Sequence, residues 1–187
     1  MREHNMQELP LEKAFMLIEP GPVILITTRN GRKNNIMTIS WHMVMDFGSS
    51  PRFALLTGVW NYSCEALLKN KECVIAIPTV DLSQKVVEIG VCSGCDTNKF
   101  KKFELTPVKG KEVKAPLIAE CLANIECRVT DYIEKHNIFV LDGVAAWIDP
   151  DRKERCTFHA VGDGRFVVDG RTINYRKLMT SKLPPGV

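Results

Sequence analysis

Cys92 and Cys95 are separated by two residues in the stretch VCSGCDTNKF, and Lys99 follows closely. That spacing suits a dithiol redox pair, half of a zinc site, or a loop that carries two thiols, and the spacing alone does not choose among them. A thioredoxin-like centre calls for a βαβ context with the pair opening a helix, whereas this pair follows a helical stretch. Zinc needs two further ligands. Cys121 and Cys127 are available, and their separation of six places both on one face of an expected strand, the usual pattern of core residues. A second constellation is Asn61-Tyr62-Ser63 ahead of the helical stretch CEALLKN, with Ser63 as the expected N-cap. A helix start presents N–H groups and a positive dipole end that suit phosphate, although a plain cap uses the same residues. In a third, Trp41 stands with Ser40, Thr38 and Asn35. A ring beside hydroxyl and amide groups can line a planar heteroaromatic ligand, and a tryptophan can equally fill a barrel core. Lys99 can face an anion or, with Lys101 and Lys102, form a solvated basic patch. His42, His136 and His159 lie far apart without ligand-spaced carboxylates, and neither Gly-x-Ser-x-Gly nor His-Glu-x-x-His occurs.

The elements that must position these residues are mostly strands. Leu9 to Ile18 reads as a short helix closed by Pro20 and Gly21. Val23 to Thr28 is a β-branched run ending in Asn30-Gly31, and NGRK predicts a hairpin to a strand over Ile36 to Met45. That strand alternates, with Met37, Ile39, Trp41, Met43 and Met45 on one side and Thr38, Ser40 and His42 on the other. Strands are also expected over Phe53–Trp60, Val74–Ile77, Leu122–Ile133, Ile138–Trp147, Cys156–Val161 and Phe166–Val168. Between them, Asp81 is the expected cap of a helix LSQKVVEI ending at Gly90, and NKFKKFEL predicts one or two helical turns. Asp163-Gly164 and Asp169-Gly170 read as tight turns. Many strands with few short helices describe a mainly β protein, a β-barrel with helical insertions. Weak strand–helix alternation and the lack of Gly-x-Gly-x-x-Gly argue against a Rossmann sheet.

A chain of 187 residues is expected to form a single domain, residues 1–187, with a core that needs no staples. Its hydrophobic fraction of 45% and charged fraction of 25% are those of globular proteins, and a net charge of +3 is too small to argue for nucleic acid or a membrane surface. MREHNMQELP lacks the apolar core of a signal peptide and no run is long enough to span a bilayer. Seven cysteines, an odd count, then imply a reducing compartment, and the expectation is a cytoplasmic protein.

PGPVILITTRNGRKNNIMTISW resembles the opening of the FMN-binding split β-barrel family, the flavin reductase-like proteins that include the flavoredoxins. Its landmarks are Pro20-Gly21-Pro22-Val23 and Asn35-Ile36-Met37-Thr38-Ile39-Ser40-Trp41. Three further blocks follow in order: Tyr62-Ser63 before a helix, Ser93 to Phe100 with Leu105-Thr106-Pro107, and His136-Asn137-Ile138-Phe139-Val140. The resemblance spans roughly residues 10 to 168 and implies a Greek-key split β-barrel with short helical insertions, a homodimer, and noncovalent FMN near the subunit interface. By the same resemblance Asn35, Met37, Thr38, Ser40 and Trp41 lie along the ribityl chain and isoalloxazine, and Thr57, Tyr62 and Ser63 hold the phosphate end. Cys95 and Lys99 come from the Ser-Gly loop, His136 from the late strand, and Phe166 from beside the ring. No catalytic side chain and no metal ligand is implied. Glu134-Lys135-His136 and Asp142-Gly143-Val144 depart from the Gly-Asp-His and Gly-Glu-Val of members that use NAD(P)H directly. The expectation is thus an FMN-dependent oxidoreductase or electron carrier of the flavoredoxin type, fed by a redox partner protein or NAD(P)H. The alternatives are an NAD(P)H:flavin reductase with flavin as substrate, and a non-enzymatic thiol- or metal-sensing module.

Overall fold

A computed structural model describes residues 6–17, 21–161 and 164–178. Its centre is one antiparallel sheet in the order β3-β2-β6-β9-β10-β5-β4, with β1 paired to the far part of β10. The strands are β1 (Gln7–Leu9), β2 (Ile24–Asn30), β3 (Lys33–Ile39), β4 (His42–Asp46), β5 (Arg52–Leu56), β6 (Glu72–Ile77), β9 (Ala123–Ile133) and β10 (Ile138–Ile148). Two small hairpins, β7 (Pro107–Val108) with β8 (Leu117–Ile118) and β11 (Phe158–Ala160) with β12 (Phe166–Val168), lie outside it. Three short helices, α1 (Ser63–Asn70), α2 (Ser83–Gly90) and α3 (Lys99–Lys102), fill the connections.

The sheet curls round a common core. Ile24, Met37, Phe53, Ile75, Ile125 and Phe139, from six different strands, are buried in one cluster. Alternate residues turn outward, and on β2 and β3 the outward Leu25 and Ile36 are covered by Val86 and Ile89 of α2 and by Phe100. The barrel is thus apolar inside and, on one flank, apolar outside too. That second layer is what docks α2 and α3 against β3. At the hairpin, Gly31 takes φ +60, the left-handed conformation that the Asn-Gly signal predicts, and Asn30 pairs with Lys33.

Several expected boundaries move, each for a local reason. Gln7–Leu9 is a strand on β10, and only Leu11–Leu17 is helical, as a 3₁₀ helix; Ile18 and Pro20 lie outside the described residues. Ile36–Met45 is two strands, because the chain changes partners at Ser40-Trp41, leaving β2 at one end of the sheet for β5 at the other. Alternation survives the break and therefore hides it. Met37 and Ile39 are buried, whereas Trp41, Met43 and Met45 of the same parity are exposed. β5 ends at Leu56, where Thr57 N–H turns to the Asn137 carbonyl. Ser63 is the first helical residue and not the cap; Tyr62 precedes it in helical conformation, with no side-chain cap bond. Asp81 lies inside a 3₁₀ turn, bound by the Thr79 hydroxyl and the Arg152 guanidinium, and caps nothing. The true side-chain cap is Asn98, which accepts from the N–H of Lys101 at the start of α3. Cys121 precedes β9 and packs in the outer layer while Cys127 faces the barrel core, so the two do not share a strand face. The strand expected over Cys156–Val161 is shorter, Phe158–Ala160, and Asp169 is bound by Thr157 and His159. Asp163 lies outside the described residues.

Candidate functional site

Asn35 and Ser63 come from β3 and α1, 28 residues apart, and meet where the amide Nδ2 donates to the Ser63 hydroxyl at 2.8 Å. Both are buried. Beside them Asn61 Nδ2 donates to the Thr57 hydroxyl at 2.9 Å, which fixes the turn before α1. The other wall is the end of α2 and the loop after it. Thr38 donates to the Val86 carbonyl at 2.6 Å, and a Cβ on Gly90 would lie 3.3 Å from Thr38 Cβ, so the helix sits directly on the strand. At Gly94 the approach is closer still. A Cβ there would fall 2.0 Å from Asn35 Oδ1, so only glycine lets the loop lie on the Asn35 amide.

These contacts leave a cavity of about 220 Å³ between β3, the turn into α1 and the loop from Ile89 to Gly94. Asn35, Met37, Thr38, Tyr62, Ser63 and Lys99 line it. Lys99 is 4% exposed and donates to the carbonyls of Ile36 at 2.8 Å and Ile89 at 2.9 Å. Burial holds its pKa below the ordinary lysine value, while the Cys92 and Asp96 charges oppose that shift. Lys33, outside, donates to the Cys95 carbonyl at 2.8 Å and lies over the Tyr62 ring at 5.1 Å. The loop is therefore pinned from both sides. Chemically the cavity offers hydroxyls, amides and one buried cation, a donor set for phosphate and polyol oxygens. It contains no acid–base pair.

The remaining candidates fall elsewhere. Thr57 sits behind the lining, its hydroxyl 4.0 Å from Met37 Sδ. Ser40 and Trp41 lie at the strand break, with Trp41 68% exposed, and Cys95 points out from the loop. His136 is exposed in a 3₁₀ turn, and Phe166 on β12 packs edge-on against Phe158 at 5.7 Å. None of these six lines the cavity. The expected cofactor-binding set leaves out Cys92, Ser93, Gly94 and Trp60, which do. Ser93-Gly94 stood in the quoted motif, but a motif does not say which of its residues turn inward. Trp60 lies across Gly58, where a Cβ would meet the ring at 2.4 Å, and that glycine is the signal that could have placed it. Among the described residues, no three His, Cys, Asp or Glu side chains are grouped to hold a metal ion.

The model of the flavin reductase like domain family matches residues 16–166. An uncharacterised protein of Archaeoglobus fulgidus is 38% identical over 110 residues, a stretch that covers 58% of this chain and 62% of that protein. Among solved structures, an FMN-binding domain of a flavin reductases-like enzyme from Shewanella baltica superposes with a TM-score of 0.84 at 22% identity, covering 93% of this chain and 99% of that one. The flavoredoxin of Desulfovibrio vulgaris (Miyazaki F) gives a TM-score of 0.73 at 22% identity, covering 82% of this chain and 89% of its own. The fold is that of the split-barrel proteins.

Proposed function

This chain belongs to the flavin reductase-like family, and from that premise we propose that it binds FMN and works as an oxidoreductase or electron carrier of the flavoredoxin type. The observation that carries the reading is the donor set of the cavity: Asn35, Thr38, Asn61, Ser63 and the buried Lys99 ammonium converge on a space edged by the Tyr62 and Trp60 rings. Those groups fit a phosphorylated polyol ending in a flat ring. The cavity is smaller than the ~300–1,000 Å³ usual for drug-sized ligands. It would hold the phosphate and polyol, with the ring carried toward the exposed Trp60 at its edge.

Bound there, the flavin would supply the electron transfer, and the chain would bind, orient and shield it. Asn35 and Ser63, already paired, would present one donor face. Lys99, held on two carbonyls, would give a fixed positive charge in a poorly solvated place, where it acts more strongly than in water. No side chain in the cavity needs to exchange a proton.

An exposed apolar face supports a homodimer. Trp41, Met43, Met45 and Phe47 run along and beyond β4, the strand that ends the sheet, and Val59 and Trp60 are exposed nearby in sequence to the site. Large exposed apolar side chains next to an open strand edge favour a partner. A redox protein or NAD(P)H would deliver electrons, and steady-state kinetics with both nucleotides separates a carrier from a reductase that uses flavin as substrate. The decisive measurement is the visible spectrum: the chain incubated with FMN and desalted should retain flavin absorbance. A colourless protein would sink the reading.

A further inference from the structure

Asn34 and Asn35 are successive residues of β3, yet they line different cavities. Asn98 and Lys99, where α3 begins, divide in the same way. The second cavity has a volume of about 430 Å³ and is lined by Arg32, Lys33, Asn34, Asn98, Phe100 and Pro107. It falls within the ~300–1,000 Å³ of pockets that take drug-sized ligands. Two cations and, among the described residues, no carboxylate line it. Arg32 is exposed, and among the described residues its guanidinium has no hydrogen-bond or ion-pair partner. The Lys33 ammonium is held on the Cys95 carbonyl at 2.8 Å. A free guanidinium with a tethered ammonium suits a phosphate, which a guanidinium meets through two parallel N–H···O bonds.

The rest of the lining asks for more than charge. Asn34 Oδ1 is buried and accepts no hydrogen bond, a state that costs free energy unless a ligand supplies a donor. Asn98 Oδ1 already accepts from the Lys101 N–H at 3.1 Å, so its Nδ2 remains as a donor. Phe100 is buried in the outer apolar layer, and with Pro107 it gives the cavity an apolar wall. A ligand that meets all of these carries a phosphate at one end. At the other it carries a flat ring with a donor and an acceptor side by side. Adenine has that edge, an amino donor beside a ring-nitrogen acceptor, the pair that asparagine amides recognise.

We propose that this cavity is a second site, separate from the flavin cavity, that binds an adenosine phosphate. Arg32 and Lys33 hold the phosphate, Phe100 and Pro107 flank the base, and Asn34 Oδ1 accepts from its amino group. The test titrates AMP into the full chain without flavin and follows the backbone amide resonances. Saturable shifts are expected at residues 32–34 and 98–100, with adenosine and inorganic phosphate each binding at least about tenfold more weakly than AMP. Arg32→Ala, at an exposed position without a partner, should keep the melting temperature and weaken AMP at least about tenfold. Asn34→Leu should weaken AMP while sparing inorganic phosphate. ADP-ribose in place of AMP separates a free nucleotide from the adenosine end of a longer molecule, the tighter of the two naming the source. The site is overturned by the absence of saturable shifts at those residues, by adenosine or phosphate binding as tightly as AMP, or by unchanged affinity in Arg32→Ala. One equivalent of FMN should leave the AMP affinity as it was, and displacement of AMP overturns the separation of the two sites. FMN uptake is read independently from visible absorbance. A chain that binds AMP but takes up no flavin therefore loses the FMN reading and keeps this one.

Discussion

At Lys99 a single side chain joins β3, α2 and the cavity, since its ammonium donates to the Ile36 and Ile89 carbonyls while buried. Lys99→Met keeps the stem and removes the donors, leaving both carbonyls short of a partner at about 1–3 kcal/mol for each buried one. Its melting temperature should fall and FMN titration should show at least about tenfold weaker binding. Unchanged binding would remove Lys99 from the site. Gly94→Ala tests the opposite face by steric means: the new Cβ meets Asn35, which Ser63 holds in place, so loop or amide must shift. Overpacking of this kind costs about 1–3 kcal/mol, measurable by denaturant unfolding, and flavin retention should fall with it. A third residue carries a pH signature. Burial pushes the His42 pKa below 6.5 against the Pro22 carbonyl, which its Nε2 meets at 2.6 Å, and His159 pushes it further down. The unfolded chain therefore takes up that proton first, so stability falls as pH drops below 6.5 through the depressed value. His42→Gln should flatten the dependence of melting temperature on pH below 6.5. An unchanged profile would assign the dependence elsewhere.

Among the elements, central strand β9 is the least ordinary, because it carries Glu126 fully buried. The carboxylate accepts the N–H groups of Lys111, Glu112 and Val113 and the Trp147 indole at 2.7–2.9 Å, and a Cβ on Gly110 would strike it at 2.6 Å. This one side chain pins the segment between β7 and β8 to the sheet. Glu126→Ala should destabilise by about 3 kcal/mol or more, since several donors lose their acceptor together, and hydrogen exchange at residues 111–113 should rise sharply. Stability unchanged within error would show that water replaces the carboxylate. The β3–β4 break is the other informative element. Ser40-Trp41 separates a buried half from an exposed half with no change in residue pattern, because the two halves pair with opposite ends of the sheet.

For the whole molecule, the exposed Trp41, Met43, Met45 and Phe47 make association the expected state. Sedimentation or light scattering should report a dimer, and melting temperature should rise with protein concentration. Met43→Glu with Met45→Glu places like charges on the face and should yield monomers with weakened flavin retention. A parent chain that is monomeric at all concentrations would retire the dimer.

Sequence by itself determined what depends on local chemistry. The Asn30-Gly31 turn fixed a hairpin, β-branched runs fixed most strands to within a few residues, and the ordered motifs identified the family. Within the site, Asn35, Met37, Thr38, Tyr62, Ser63 and Lys99 were legible because a motif names the positions on the strand, turn and loop that the fold brings together. Which side of a loop faces inward was not legible, and the structure places Cys92 in the cavity and Cys95 in solvent. Nor was the partner change after Ile39, since period-two alternation records only which residues share a face and not what that face meets. Tertiary structure alone decided those points, because they depend on contacts between segments distant in the chain, and no local pattern encodes the neighbour across the gap.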